Sequence, residues 1–215
     1  NDDKAVVNIT AVSDAEGSLT KPYFRFELTN SNTSDGDIVI DYSLQGTAVS
    51  PADYAVVTNN NVTTNSVTIP AGSTYVDLEF DVVDDDIVEL TETISFKTVG
   101  INTVNTSYPS LITLSNNRPV VQIEDNDSAE LLLTGIEKVT EGNTSDITKI
   151  TYTLKLTKST QDPFTIKLAT EDGLAKQSDN DYFFSPKDIL YSGDKTDELN
   201  VTVDIIGDNK VERDE

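Results

Sequence analysis

The sequence predicts an all-β protein built of tandem immunoglobulin-like antiparallel β-sandwiches, each with about seven strands. Apolar and polar residues alternate in many short segments, and Gly, Asn and Asp residues separate these segments. Alternation with a period of two is the pattern of a strand that has one face in a core and the other in water. Short strands at this spacing are typical of a sandwich, and no segment shows a helical period.

The alternation appears in both halves of the chain. Phe24, Phe26 and Leu28 alternate with Arg25 and Glu27, and the abundance of Val and Thr elsewhere suits strands. The clearest predicted strands are residues 24–28, 38–44, 76–82, 120–123, 150–156 and 199–205. The stretch 102–117, which is rich in Asn, Ser and Thr, is predicted to be a long hairpin loop.

A series of acidic motifs occurs twice and divides the chain. Its first copy consists of Glu16-Gly17, Gly46-Thr47-Ala48, Asp53-Tyr54, residues 84–89 and residues 124–127. Its second copy consists of Glu141-Gly142, Gly173-Leu174-Ala175, Asp181-Tyr182 and residues 208–212. The repeat predicts one sandwich over residues 1–127 and another over 128–215. By analogy with the first, the second lacks its last strands, so we expect this chain to be a segment of a longer array.

Composition limits the classes of partner. The formal net charge of −23 repels phosphate backbones and anionic membranes, so we expect no nucleic-acid binding. No apolar run approaches the ~18 residues of a membrane span, so we expect no membrane insertion. The chain contains no Cys and no His, which excludes disulfides and thiolate or imidazole metal sites. Carboxylates gathered at strand ends repel one another unless a cation lies between them. Oxygen-only ligands point to calcium rather than magnesium, which requires stricter geometry.

The acidic motifs, taken in this order, resemble those of the Calx-beta domain, a module of sodium–calcium exchangers, some integrins and large adhesins. The resemblance covers the first repeat entirely and the second as far as residue 215. It implies a seven-stranded sandwich that binds calcium at one end. The ligands that it implies in the first repeat are Glu16, Asp84, Asp85, Ile87 through its backbone carbonyl, Glu89, Asp125, Asn126 and Asp127. Those in the second repeat are Glu141, Asp172, Asp208 and Glu212.

The chain departs from the family pattern at three positions. Gln45 replaces the Asp that precedes Gly-Thr-Ala in the first repeat, and Gly207 replaces the first of the paired acids in the second. Lys210 lies near the second site. We therefore expect a good calcium site in the first repeat and a weak or incomplete one in the second.

An enzyme is not expected. Paired carboxylates also catalyse glycoside hydrolysis, but the chain has no Trp and few aromatic residues to line a sugar cleft. It has neither a His base nor a Cys nucleophile. Asp53 and Asp181 are interpreted as loop caps rather than ligands.

The expected function is that of calcium-stiffened spacer repeats in a large extracellular, bacterial cell-surface adhesin, for which surface gliding is a natural subtype. Its partners would be calcium ions and neighbouring repeats of the same longer chain. Two alternatives stay open. One is a regulatory calcium sensor, in which binding near the short linker at residues 125–128 changes an interdomain angle. The other is an accessory module of a secreted enzyme.

Overall fold

A computed structural model describes residues 4–29 and 33–210. The described residues form strands, with short 3-10 helices at Pro109–Leu111 and Gln177–Asp179, which confirms the all-β prediction. None of the helices in this part of the chain has the length and apolar character needed to cross a membrane. Contacts divide the chain into two compact units, Asn1–Asp85 with Leu90–Asn126 and Asp86–Glu89 with Asp127–Glu215.

The first unit is a sandwich of two five-stranded sheets, with strand orders β5-β7-β3-β1-β9 and β2-β10-β8-β4-β6. Its strands are β1 (Ala5–Val12), β2 (Asp14–Ala15), β3 (Tyr23–Leu28), β4 (Ile38–Gly46), β5 (Tyr54–Val56), β6 (Ser66–Ile69), β7 (Tyr75–Val82), β8 (Glu92–Ile101), β9 (Ile112–Leu114) and β10 (Val121–Glu124). The alternation in β3 is realised as predicted, because Phe24, Phe26 and Leu28 are buried while Glu27 is exposed.

Aromatic rings join the two sheets in the core of the first unit. Phe24 of β3 packs against Phe96 of β8 with ring centroids 4.4 Å apart. Phe80 of β7 meets Phe24 edge-on at 5.7 Å. Phe24 and Phe80 are fully buried, and aromatic pairs in these geometries stabilise a core beyond the area that they bury.

The stretch 102–117 is not a loop throughout. It contains β9, which pairs in parallel with β1 so that Ala5 lies opposite Ile112 and Val7 opposite Leu114. The loop prediction is therefore wrong at these three residues. Three residues are too few to show an alternation, and β9 pairs with β1, which lies at the start of the unit's sequence.

The second unit contains a four-stranded sheet, β11-β12-β16-β14, and a two-stranded sheet, β13-β15. Its strands are β11 (Leu131–Thr134), β12 (Ile147–Leu156), β13 (Phe164–Leu168), β14 (Tyr182–Phe183), β15 (Lys187–Tyr191) and β16 (Leu199–Ile206). Its core is split into two clusters, one around Leu154 and Val201 and one around Leu156 and Tyr191. A cavity of about 370 Å³, lined mainly by apolar side chains, lies beside the first cluster.

Candidate metal centre

One end of the first unit gathers acids because two short strands run in parallel there. Strand β2 pairs with β10, with Asp14 opposite Ile123 and Ala15 opposite Glu124. The backbone N–H of Glu16 then donates to the carbonyl of Glu124 over 3.0 Å. Because parallel strands end at the same edge of a sheet, Glu16 and Asp125 leave β2 and β10 side by side.

Glu16 and Asp125 form a first carboxylate group within the first unit. Each offers one oxygen, and these two oxygens lie within 4.8 Å of each other. Glu16 is buried, with 6% of its surface exposed, and Asp125 is partly buried. Like charges at such distances repel, and their burial raises the free energy further. The group brings together two predicted ligands and favours a bound cation, while Asp127, a third predicted ligand, belongs to the second unit.

Asp84 and Asn126, two further predicted ligands, meet beside Gly17. The Nδ2 amide of Asn126 donates to Oδ1 of Asp84 over 2.9 Å. Gly17 has a φ of +64°, and a Cβ on it would lie 2.8 Å from Nδ2 of Asn126 and 3.1 Å from Oδ1 of Asp84. A glycine after Glu16 therefore allows both side chains to approach the backbone at this end of the sandwich.

Replacing Gly17 by Ala is expected to lower the free energy of unfolding by more than the same change at Gly72. Both glycines have a positive φ, +64° and +76°, but a Cβ on Gly72 meets nothing within 4 Å. The left-handed backbone alone costs a non-glycine residue about 1–2 kcal/mol, and only Gly17→Ala also displaces Asp84 and Asn126. Urea unfolding of both variants measures the difference. Equal losses would contradict the close approach at Gly17.

Asp53 and Glu92 form a second carboxylate group within the first unit, with one oxygen of each within 4.8 Å of the other. Neither is a predicted ligand, and Glu89, which is one, belongs to the second unit. Asp53 also has the capping role that the sequence indicates, since its Oδ2 accepts a hydrogen bond from the N–H of Val49 over 2.5 Å.

Sequence reasoning missed Glu92, although a signal was present. Glu92, Ile94 and Phe96 alternate along β8 and are all buried, so an acid occupies a position whose neighbours on the same face belong to the core. Gly46 of β4 lies opposite Ile94 of β8. A Cβ on Gly46 would lie 1.8 Å from the carbonyl oxygen of Thr93, so glycine is needed for β8 to run this close.

The other predicted ligands of this repeat, Asp85 and Ile87, are exposed. Within residues 4–29 and 33–210, neither Asp84 nor Asp85 belongs to a group of three carboxylates. The assignment of Asp84, Asp85 and the Ile87 carbonyl as ligands stays a prediction.

Asp172 in the second unit is held by hydrogen bonds within its own loop. Its Oδ1 accepts from the hydroxyl of Tyr182 over 2.6 Å and from the N–H of Gln177 over 3.1 Å. The bond from Tyr182 is the main cause that lowers the pKa of Asp172, and the same bond raises the pKa of Tyr182. Asp172 therefore has a structural role that needs no ion.

The remaining predicted ligands of the second unit are dispersed. Glu141 is exposed. Asp208 accepts from the backbone N–H of Lys210 over 2.6 Å, and this bond lowers the pKa of Asp208. The part of the chain that the structure describes has no group of three carboxylates made from Glu141, Asp172 and Asp208. Glu212 lies outside the described residues.

The donor chemistry of the two carboxylate groups fits calcium. Calcium takes about 6–8 oxygen ligands from carboxylates, amides, carbonyls and water. The first group supplies two carboxylates, and Asp84 and Asn126 bring a carboxylate and an amide to the same end of the first unit. All of these donors are hard oxygen atoms, which suit calcium better than softer transition metals.

No family model matches the chain, and no curated protein matches it significantly. Solved structures do match. The calcium-binding domain CBD12 of CALX1.1 is 15% identical, with 94% of this chain and 76% of that chain covered and a TM-score of 0.39. CBD12 from CALX1.2 is 15% identical, with 95% and 77% covered and a TM-score of 0.40. A cohesin module from a Clostridium perfringens family 33 glycoside hydrolase is 12% identical, with 57% and 100% covered and a TM-score of 0.29. These scores are low, and the sheets described above establish the all-β fold without them.

Proposed function

We propose that this chain is a pair of calcium-binding sandwich repeats that act as spacers in a large extracellular, bacterial cell-surface adhesin. The observation that supports calcium binding most directly is the parallel pairing of β2 with β10, which brings Glu16 and Asp125 together. Asp84 and Asn126 meet at the same end of the first unit. Acids from the beginning and the end of one sandwich thereby converge on one place.

A calcium ion would neutralise carboxylates that otherwise repel one another in the folded state. The ion binds the assembled group and not the unfolded chain, in which Glu16 and Asp125 are far apart. Its binding free energy therefore adds to the stability of the fold. The ion acts as a structural brace and supplies no chemistry. The residues of the first unit that would hold it are Glu16 and Asp125, with Asp84 and Asn126 beside them, and Asp127 is a further ligand that the sequence predicts.

A spacer role suits this mode of stabilisation. The chain lacks Cys, so disulfides cannot stabilise it outside the cell, and a metal brace takes their place. At the millimolar calcium of many extracellular fluids, a weak structural site with a Kd of roughly 10⁻⁴–10⁻³ M is occupied for much of the time. We infer that neighbouring repeats of the same longer chain are the partners and that the chain is not an enzyme.

Calcium is expected to raise the unfolding temperature of the chain, and magnesium is not. At a calcium concentration a hundred times the Kd, one site adds about 2.7 kcal/mol, which corresponds to a shift on the order of 5–10 °C for a domain of this size. Thermal unfolding of the full chain with calcium, with magnesium and with excess chelator measures this shift. An unfolding temperature that is the same in all three conditions would overturn the proposed function.

The calcium concentration at half-maximal stabilisation separates the spacer from a sensor. A structural spacer is expected to respond at roughly 10⁻⁴–10⁻³ M, whereas a sensor responds at roughly 10⁻⁷–10⁻⁵ M. A calcium titration of the unfolding temperature gives this midpoint. A midpoint in the lower range would replace the spacer proposal with the regulatory one.

A further inference from the structure

Lys158 holds two acids of the second unit at once. Its Nζ lies 2.9 Å from Oδ1 of Asp86 and is also ion-paired with Oδ1 of Asp127. The Asp127 side chain is 8% exposed and the Lys158 side chain 34%, so the pair is partly shielded from water, and shielding strengthens an ion pair. The hydrogen bonds to Asp127 and Asp86 raise the pKa of Lys158.

The backbone holds Lys158 in this place. Val88 forms a parallel bridge with Thr160. The N–H of Val88 donates to the carbonyl of Ser159, and the N–H of Gln161 donates to the carbonyl of Val88, both over 2.9 Å. These bonds fix the segment 158–161 against residues 86–89. The backbone therefore holds the Lys158 side chain within reach of Asp86.

The same segment donates to a second predicted ligand. The Nε2 amide of Gln161 bonds to Oε1 of Glu89 over 2.8 Å. Residues 158–161 therefore supply one ammonium and one amide to Asp127 and Glu89, which the sequence assigns as calcium ligands.

We propose that Lys158 is an internal counter-ion that competes with calcium for Asp127. Its ammonium takes one oxygen of this predicted ligand and places a positive charge beside the carboxylate. Calcium therefore binds in one of two ways. Either Lys158 releases Asp127, or Lys158 stays in place and its ammonium repels the ion. In the absence of calcium, Lys158 instead offsets part of the repulsion among the acids. This inference rests on the proposed function and identifies a residue that weakens the affinity of the same site.

Replacing Lys158 by Met tests the competition, because Met keeps an apolar stem of similar length and removes the charge. We expect the calcium concentration at half-maximal thermal stabilisation to fall about threefold to tenfold, the range that one partly exposed charge pair gives. In excess chelator we expect the unfolding temperature of K158M to be lower than that of the unaltered chain. The first change is a gain in calcium affinity and the second is a loss of stability without calcium, so a general loss of folding cannot produce both.

Two variants serve as controls. K158R keeps the positive charge and the ability to pair with Asp127, so its calcium midpoint is expected to stay within about twofold of the original. K155M removes a lysine of β12 that pairs with Glu198 over 3.3 Å, and Glu198 is not a predicted ligand. K155M is expected to leave the midpoint unchanged.

The outcomes distinguish this inference from the proposed function. A calcium midpoint that is unchanged or higher in K158M, while the unaltered chain responds to calcium, would overturn the role of Lys158 and leave the calcium site standing. A calcium response that appears only in K158M would support competition by Lys158 but would overturn the proposed function of the unaltered chain. Absence of a response in both proteins would overturn calcium binding and this inference together.

Discussion

Replacing Glu16 by Gln is expected to remove most of the calcium-dependent gain in stability, about 2.7 kcal/mol at a hundredfold excess of calcium over the Kd. The change keeps the size of a side chain that is 6% exposed but deletes the charge that an ion would neutralise. Stability in chelator is expected to stay the same or rise, because a buried like charge has been removed from the first carboxylate group. Urea unfolding with calcium and with chelator measures both quantities.

Glu27→Gln is the matched control for this variant. Glu27 is an exposed acid on β3, and its loss changes the net charge of the protein by the same amount. It is expected to keep the full calcium response. If E16Q and E27Q respond to calcium equally, then general charge screening, and not a site at Glu16, is the cause of the stabilisation.

Replacing Phe24 by Ala is expected to lower the free energy of unfolding by about 3–5 kcal/mol, with or without calcium. Phe24 is fully buried and packs on Phe96 and Phe80. Its removal therefore leaves a cavity between the two sheets. Such a loss is a large part of the 5–15 kcal/mol that stabilises a typical domain. Denaturant unfolding in chelator and in calcium gives the two values.

Phe183→Ala provides the comparison for the core variant, because Phe183 is 58% exposed and its loss is expected to change stability by no more than about 0.5 kcal/mol. A loss from F24A that disappears in calcium would show that Phe24 acts through the metal centre. An equal loss in both conditions is the result that core packing predicts.

The all-β fold could be predicted because it depends on local alternation. The side chains of β3 face alternately inward and outward, and the sequence shows this directly at Phe24, Phe26 and Leu28. The parallel pairs of β2 with β10 and β1 with β9 could not be predicted. These strands are two to eight residues long. Each pair joins a strand near the start of the unit's sequence to a strand near its end, and local patterning does not indicate which distant strands will pair.

The sequence indicated which residues could be ligands in the candidate centre, but not which of them lie close together. The motifs indicated Glu16 and Asp125 as ligands, and the structure brings these two together. Asp53 and Glu92, which were not among the predicted ligands, lie together as well. The pairing of Lys158 with Asp127 had no sequence signal, because a single lysine just beyond a strand looks the same whether it faces water or an acid.

The parallel pairing of β2 with β10 also sets when the metal centre can appear during folding. Glu16 precedes nearly all of the first unit and Asp125 follows it, so the chain must close its longest loop before these two acids meet. Contacts of this kind form late and slow the folding of β-sandwiches. Calcium would then find its ligands only in a sandwich whose last strand has docked, and it would act mainly by slowing unfolding rather than by speeding folding. The ion would then stabilise a domain that has already folded, which suits the spacer role proposed above.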